Sequence, residues 1–257
     1  MQLFRLDGRV AIITGGSRGI GLGIARAYAQ AGAHVVLTAR TQDTLDEAVA
    51  SIQSEGGSAE AVAFDIADLE AGRAMVDSIA AKHGRVDILV NNAGMNVREA
   101  ATDIQPQNFD LVQSVNVRAP IFLSQAVGKH MLAAGSGKVI NIASMSSFLG
   151  LSKLTSYATS KAALLQATRV MSSEWAYANI QVNAIAPGFI VTDLNRKLWD
   201  NEPVKNWVLG NTAARRLGSV DDLLGAAIFL AAPASDFVTG QCIIVDGGIM
   251  NAGPWPL

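Results

Sequence analysis

One cysteine, Cys242, stands among 257 residues, so no disulfide can form within the chain and the fold must rest on its apolar core. Cys242 lies in the run QCIIVDGG, where a buried, inert thiol is the expected reading. Histidine is almost as scarce. His34 opens an apolar run, His83 and His130 fall near expected helix ends, and no Cys/His cluster has metal-ligand spacing. An excess of charge is missing too: 20 basic against 22 acidic side chains leave a net charge of −2, with no basic stripe to match a phosphate backbone, so nucleic acid is not an expected partner. No window approaches the roughly eighteen apolar residues needed to cross a bilayer. The stretch MQLFRLDGRVAIITGG is broken by Arg5, Asp7 and Arg9 and does not read as a secretory signal, so a soluble, cytoplasmic protein is expected. Without a Pro- or Ser-rich linker, a low-complexity tract or a repeat, residues 1–257 are expected to form a single domain.

Half of the residues are apolar, enough for a sizeable core. Short β-branched runs recur at VAIIT (10–14), HVVLT (34–38), EAVAF (60–64), DILVN (87–91), KVINI (138–142), QVNAI (181–185) and CIIVD (242–246). Between them, segments near 19–31, 43–54, 68–83, 108–133, 155–178 and 220–231 carry helical spacing. Alternation of strand and helix predicts a parallel sheet covered on both faces. The segment 187–219 is less regular, with Pro187, Gly188, Pro203, Gly210 and Gly218 around an amphipathic piece bearing Trp199 and Trp207. It reads either as a lid, at about 189–217, that orders over substrate or as a permanently packed helical pair.

Ligands of open parallel sheets sit beyond the carboxyl ends of the strands. The unusual residues gather there: TGGSRGIG (14–21) follows the first run, Arg40 the second, Asp65 the third, NNAG (91–94) the fourth, Ser144 the fifth and Pro187-Gly188 the sixth. In TGGSRGIG, the glycines let the backbone turn and approach a ligand, and the helix amino terminus beyond offers unpaired N–H groups to a pyrophosphate. Its spacing differs from G-x-G-x-x-G. Residues Gly15 to Gly19 also spell G-x-S-x-G, but a hydrolase elbow needs an earlier strand and loop for its oxyanion donors, and only a strand's length precedes Ser17.

Tyr157 and Lys161 stand four apart in SYATSKAALL, on one face of an expected helix. Free tyrosine titrates near ~10, and a neighbouring ammonium would favour the phenolate, which suits a general base for an alcohol proton. The same face runs on through Leu164, Thr168, Met171 and Trp175, a stripe that is either core or subunit contact. Ser144 lies thirteen residues before Tyr157, placed to hydrogen-bond a substrate oxygen.

Taken together, TGGSRGIG, NNAG, Asn116 in SVNV, Ser144, YATSK, and PG followed by Thr192 resemble the short-chain dehydrogenase/reductase family, over nearly the whole chain up to VDGG at 246–248. The resemblance implies a Rossmann-type doubly wound α/β sheet of seven parallel strands with helices on both faces, a nicotinamide cofactor and a homotetramer or homodimer. It implies that Tyr157 is the acid/base, that Lys161 holds the nicotinamide ribose and lowers the tyrosine pKa, that Ser144 orients the substrate oxygen and that Asn116 anchors a proton-relay water. Gly15, Ser17, Arg18, Gly19, Ile20 and Gly21 would surround the pyrophosphate. Asp65 and Ile66 would meet the adenine, Asn92, Ala93 and Gly94 would line the adenosine side, and Pro187, Gly188, Ile190 and Thr192 would embrace the nicotinamide. A dinucleotide sensor or scaffold without the chemistry is the alternative of another class.

The end of the second strand, LTAR, lacks the acid that holds a ribose 2′-hydroxyl, and offers Arg40 in addition to Arg18 of the glycine loop. NADP(H) is therefore the expected cofactor. NNAGMNVREA and APASDFVTGQ resemble the sugar-acid branch of the family, gluconate 5-dehydrogenases and related deoxygluconate dehydrogenases, and also 3-oxoacyl carrier-protein reductases. Arg98 is a candidate partner for a substrate carboxylate, with Ser146 and Trp199 as further substrate contacts. A solvated loop arginine is the other reading of Arg98.

Overall fold

Alternating side chains along the strands feed two apolar layers, one on each face of a single parallel sheet. The structure, a computed structural model, describes residues 2–193 and 195–251. The strands are β1 (Val10–Thr14), β2 (His34–Ala39), β3 (Ser58–Ala63), β4 (Ile88–Asn91), β5 (Gly137–Ile142), β6 (Ile180–Pro187) and β7 (Cys242–Val245), in the order β3-β2-β1-β4-β5-β6-β7. The helices are α1 (Gly19–Gln30), α2 (Gln42–Ser54), α3 (Leu69–His83), α4 (Pro106–Gln113), α5 (Ala119–Ala134), α6 (Thr155–Trp175), α7 (Glu202–Asn211) and α8 (Asp221–Ala231). Ile13, Leu37, Val90 and Ile140 pack on one face with Ile24, Tyr28, Leu45 and Leu223. Ile12, Val36, Leu89 and Val139 pack on the other with Met75, Ile79, Leu123 and Met131. Both layers exclude water, as an all-parallel sheet requires.

The chain winds from β1 outward to β3, then crosses to β4 and continues the other way. That reversal opens a crevice between the carboxyl ends of β1 and β4, where doubly wound sheets take their ligands. TGGSRGIG leaves β1 and NNAG leaves β4, so the two motifs face each other across it.

Several expectations shift in detail. The third strand starts at Ser58, two residues early, because its polar start pairs with β2 in register, His34 opposite Ser58 through Ala39 opposite Ala63. The helix expected over 108–133 is interrupted by a π-helical turn at Ser114–Arg118, in which Ala119 N–H donates to Ser114 O five residues back. Pro120 is the physical reason: it has no N–H to give to the Asn116 carbonyl four residues earlier, and its ring would collide with that carbonyl in a regular helix. The stripe beyond Lys161 is core: Leu164 and Thr168 are buried, and the Trp175 indole lies so close to Gly128 that a Cβ there would come within 2.9 Å of it. Cys242, on the edge strand β7, is half-buried, and burial pushes its thiol up to about 11, so it stays an inert thiol at neutral pH. Among the described residues no helix is long and apolar enough to cross a membrane.

Candidate active site

Thr14, at the end of β1, begins the site. Its hydroxyl accepts the backbone N–H groups of Asn92 and Ala93, each at 3.0 Å, and donates to Val90 O. The Asn92 side-chain amide donates back to Thr14 O at 2.9 Å and Gly15 O at 3.1 Å. Asn92 is thus spent on bracing the glycine loop, and the backbone of NNAG, not this side chain, faces the crevice. The glycines are steric necessities. A Cβ on Gly21 would come within 2.3 Å of Gly15 O, and one on Gly15 within 3.0 Å of Asn92 Nδ2; Gly15 and Gly19 also have positive φ, 64° and 56°. Ser17 and Ile20 are partly buried, and Arg18 stands exposed just before the first turn of α1.

The candidate catalytic residues come together around α6. Lys161 is buried, and its ammonium donates to Ile142 O at 2.7 Å and lies 5.8 Å from the centre of the Tyr157 ring. An ammonium has three donors, and Gly94 lies against this one: a Cβ at Gly94 would sit 3.4 Å from Lys161 Nζ and 3.3 Å from Asn116 Oδ1. The NNAG stretch, expected on the adenosine side, therefore reaches the lysine. Burial pushes Lys161 down to about 8. Burial raises the Tyr157 phenol, with the nearby Ser144 hydroxyl partly offsetting it. The lowering expected from Lys161 is not seen in the protein alone, where burial sets the direction of the Tyr157 shift. At neutral pH Tyr157 is therefore a neutral phenol, while Lys161, at about 8, is still mostly the ammonium.

Ser144 follows β5, buried, and its oxygen accepts Ser146 N–H at 3.1 Å, with its hydroxyl near the Tyr157 phenol. The Ser146 side chain is buried beside it. Asn116 is fully buried. Its side chain pairs with both backbone groups of Met95 at 2.9 Å and donates to Ser160 Oγ at 2.9 Å, and Ser160 Oγ donates in turn to Tyr157 O. This locks the π turn to the helix that carries Tyr157. The Asn116 backbone carbonyl receives no hydrogen bond from Pro120, four residues on, which has no N–H to give.

Gly188 N–H donates to Val245 O at 2.9 Å, tying the turn after Pro187 to β7, and a Cβ at Gly188 would meet Asp246 Cα at 2.7 Å. Ile190 puts its side chain in the core at 6% exposure and bridges Gly218, so its backbone is what it can show a ligand. Thr192 faces the glycine loop, its Cγ2 3.6 Å from a Cβ built on Gly19. Asn195, unmarked in the sequence, clamps this turn by accepting from Thr192 N and Trp199 Nε1 and donating to Ile190 O. Trp199 is consequently buried and edge-on to Phe189 at 5.8 Å, engaged in packing as much as in any contact with substrate. Asp65 and Arg40 are exposed beyond β3 and β2, with Ile66 partly buried. Arg98 is exposed on the loop after Gly94, which Glu99 N–H fastens to Lys153 O at 3.2 Å.

The chemistry of this cradle suits an anionic dinucleotide: close backbone at Gly15, Gly21 and Gly94, a helix amino terminus, and a buried ammonium with donors to spare.

Over residues 15–250 the chain matches the family model described as enoyl-(acyl carrier protein) reductase. It is 40% identical over 251 residues to a gluconate 5-dehydrogenase of Gluconobacter oxydans, covering 96% of this chain and 97% of that protein. Over 250 residues it is 42% identical to a 2-dehydro-3-deoxy-D-gluconate 5-dehydrogenase of Bacillus subtilis, with 96% and 97% covered. A crystal structure of a gluconate 5-dehydrogenase from Burkholderia cenocepacia, in complex with NADP and tartrate, superposes with a TM-score of 0.95 at 43% identity, covering 98% of this chain and 99% of that one.

Proposed function

The chain belongs to the short-chain dehydrogenase/reductase family, and on that premise we propose that it moves a hydride between NADP(H) and the secondary alcohol or ketone of a sugar acid. The observation that carries the reading is the Tyr157–Lys161 pair on a buried helix face, with the Ser144 hydroxyl beside the phenol. When bound, the nicotinamide supplies the hydride chemistry at its C4. Tyr157 exchanges the proton with the substrate oxygen, Ser144 hydrogen-bonds that oxygen, and Lys161 holds the ribose. The Asn116 carbonyl holds the water through which the proton leaves. Gly15 to Gly21 carry the pyrophosphate, Asp65 and Ile66 the adenine, and Pro187 to Thr192 the nicotinamide. A sensor that had lost catalysis would have no use for Ser144, Tyr157 and Lys161 in one crevice.

The sugar-acid class is supported by the gluconate and deoxygluconate dehydrogenases among the relatives and by Arg98, an exposed cation on a loop anchored beside the segment leading into α6. A screen with NADPH is expected to favour keto-aldonates over neutral ketones and 3-oxoacyl thioesters. Arg98→Ala should raise KM for the acid by ~10 to 100-fold, the equivalent of a charge-assisted hydrogen bond of about 1.5–3 kcal/mol. Equal activity on neutral ketones with a harmless Arg98→Ala would defeat it.

We also propose that 189–217 acts as a lid; Leu194 within it lies outside the described residues. Its base is zipped by Val191 N–H to Gly218 O at 2.8 Å and Gly218 N–H to Phe189 O at 2.9 Å, while Trp207 is 48% exposed at 6.3 Å from the Phe189 ring. Cofactor plus substrate should change Trp207 fluorescence and protect the segment from protease, and unchanged values for both would show a permanently packed pair. Exposed Phe122, Val170 and Phe237 support assembly as a homotetramer or homodimer, and the lack of a membrane-length helix among the described residues fits work in the cytoplasm.

A further inference from the structure

At the opposite edge of the sheet from the crevice, three side chains far apart in sequence converge. His34 opens β2. Glu60 is the third residue of the edge strand β3, one same-face step beyond Ser58, which pairs with His34. His83 ends α3, just before Gly84 turns the chain with φ 73°. Glu60 Oε1 lies 2.7 Å from His83 Nε2 and 3.6 Å from His34 Nε2, the two imidazole centres are 4.6 Å apart, and the three potential donor atoms fall within 4.8 Å of one another.

We propose that His34 Nε2, Glu60 Oε1 and His83 Nε2 form a binding site for a divalent transition-metal ion of the zinc class, which clips the edge strand β3 to the end of α3.

His34 supplies an independent sign of a ligand. Its Nε2 is buried and has no hydrogen-bond partner among the described residues, although it points at a carboxylate. Its Nδ1 is 2.7 Å from Ser58 Oγ. With the proton on Nδ1, given to Ser58, the Nε2 lone pair faces the Glu60 oxygen, an arrangement that calls for a cation between them. A ring nitrogen oriented by a hydrogen bond from its other nitrogen is the usual state of a metal-bound imidazole.

The distances agree. Zinc bonds of about 2.0–2.2 Å at tetrahedral angles separate ligand atoms by roughly 3.3 Å, and the present 2.7 and 3.6 Å lie on either side. A shift of a few tenths of an ångström in the Glu60 carboxylate would even these two, and the two imidazole nitrogens lie within 4.8 Å of each other. Glu60 Oε2 is paired with Lys82, whose side chain is largely exposed; it can keep that pairing as support for the ligating carboxylate or swing into solvent. Two imidazoles and one carboxylate suit zinc, cobalt or nickel better than magnesium or calcium. The last carbonyls of α3 add negative potential where His83 sits. Water would complete the shell, as in other three-ligand zinc sites.

The test uses untagged, chelator-treated protein, titrated with zinc by calorimetry and with cobalt by visible absorption. One ion per chain is expected, with a rise in melting temperature. His34→Gln and His83→Gln should each weaken binding by at least about tenfold, the lower end of what losing even a supporting partner costs. His130→Gln, the remaining histidine, bonded to Asp77 at 2.8 Å, should bind as wild type. His83 ends a helix, so its variant is the safer of the two should His34→Gln fold poorly, and circular dichroism checks both. No binding, or binding unchanged in His83→Gln, would overturn the proposal, as would binding that depends on His130. Because the site lies at the far edge of the sheet, oxidoreductase assays of the same variants are expected to match wild type, so a failed metal test leaves the catalytic reading untouched.

Discussion

Tyr157→Phe is expected to lower turnover by ~100 to 10,000-fold, the usual worth of a positioned proton-transfer group, while NADPH affinity stays within about threefold, well under the tenfold that ~1.4 kcal/mol would bring. The substitution conserves ring and volume. The ring stays over the Lys161 ammonium, Lys161 keeps Ile142 O, and the Asn116–Ser160 link is fastened to the Tyr157 backbone carbonyl, not its phenol. Only the phenol hydroxyl, with its exchangeable proton and its contact to Ser144, is lost. Steady-state kcat with the best ketone, set beside a fluorescence titration of NADPH, separates the two effects. Near-normal turnover in a folded variant would remove Tyr157 from the mechanism. A parallel loss of cofactor affinity would make it a binding residue instead.

The sheet was legible because fully buried parallel strands are written as β-branched runs, and all seven expected runs lie within two residues of the observed strands at both ends. The edge strand β3 was displaced at its start because backbone pairing with β2, and not apolarity, carries Ser58 and Glu60 into the sheet. The carboxyl-edge signals were legible for a similar reason: glycine, asparagine and Pro-Gly punctuate strand ends wherever the backbone must turn. What stayed hidden depends on partners distant in sequence. The π turn could have been read from Pro120 four residues after Asn116, a local signal inside an otherwise helical pattern. The clamp by Asn195 and the brace by Ser160 could not, since a lone Asn or Ser carries no periodicity. Helical spacing reports that Tyr157 is near Lys161 but not how deeply it is buried, and in the folded protein burial sets the direction of the Tyr157 shift. The convergence of His34, Glu60 and His83 was invisible for the same reason, with residues 34, 60 and 83 joined only through the β2–β3 register and the end of α3.

A preference for NADPH over NADH, by about tenfold to several hundredfold in kcat/KM, is the second large effect expected, and it rests on Arg18 and Arg40. The register of β1 and β2 pairs Thr14 with Thr38, and Gly16 N–H donates to Thr38 O at 3.1 Å, so the glycine loop and the end of β2 emerge side by side. Arg18 follows one and Arg40 the other, both exposed, and among the described residues neither makes a salt bridge. A carboxylate after β2 would take the ribose 2′-hydroxyl and repel a 2′-phosphate. None is there: Asp43 stands three residues beyond Arg40, already in the first turn of α2. A charge-assisted hydrogen bond to phosphate is worth roughly 1.5–3 kcal/mol, less for exposed side chains such as these, and each ~1.4 kcal/mol is tenfold. Two discounted contacts give the stated range. Arg40→Asp should remove one contact and add repulsion, lowering the NADPH/NADH ratio by at least about tenfold, chiefly through KM for NADPH, because the substitution touches neither Tyr157 nor Lys161. Specificity constants for both cofactors in wild type and variant decide it. A wild type that favours NADH, or an Arg40→Asp variant whose ratio does not move, would show that the 2′-phosphate is not read here.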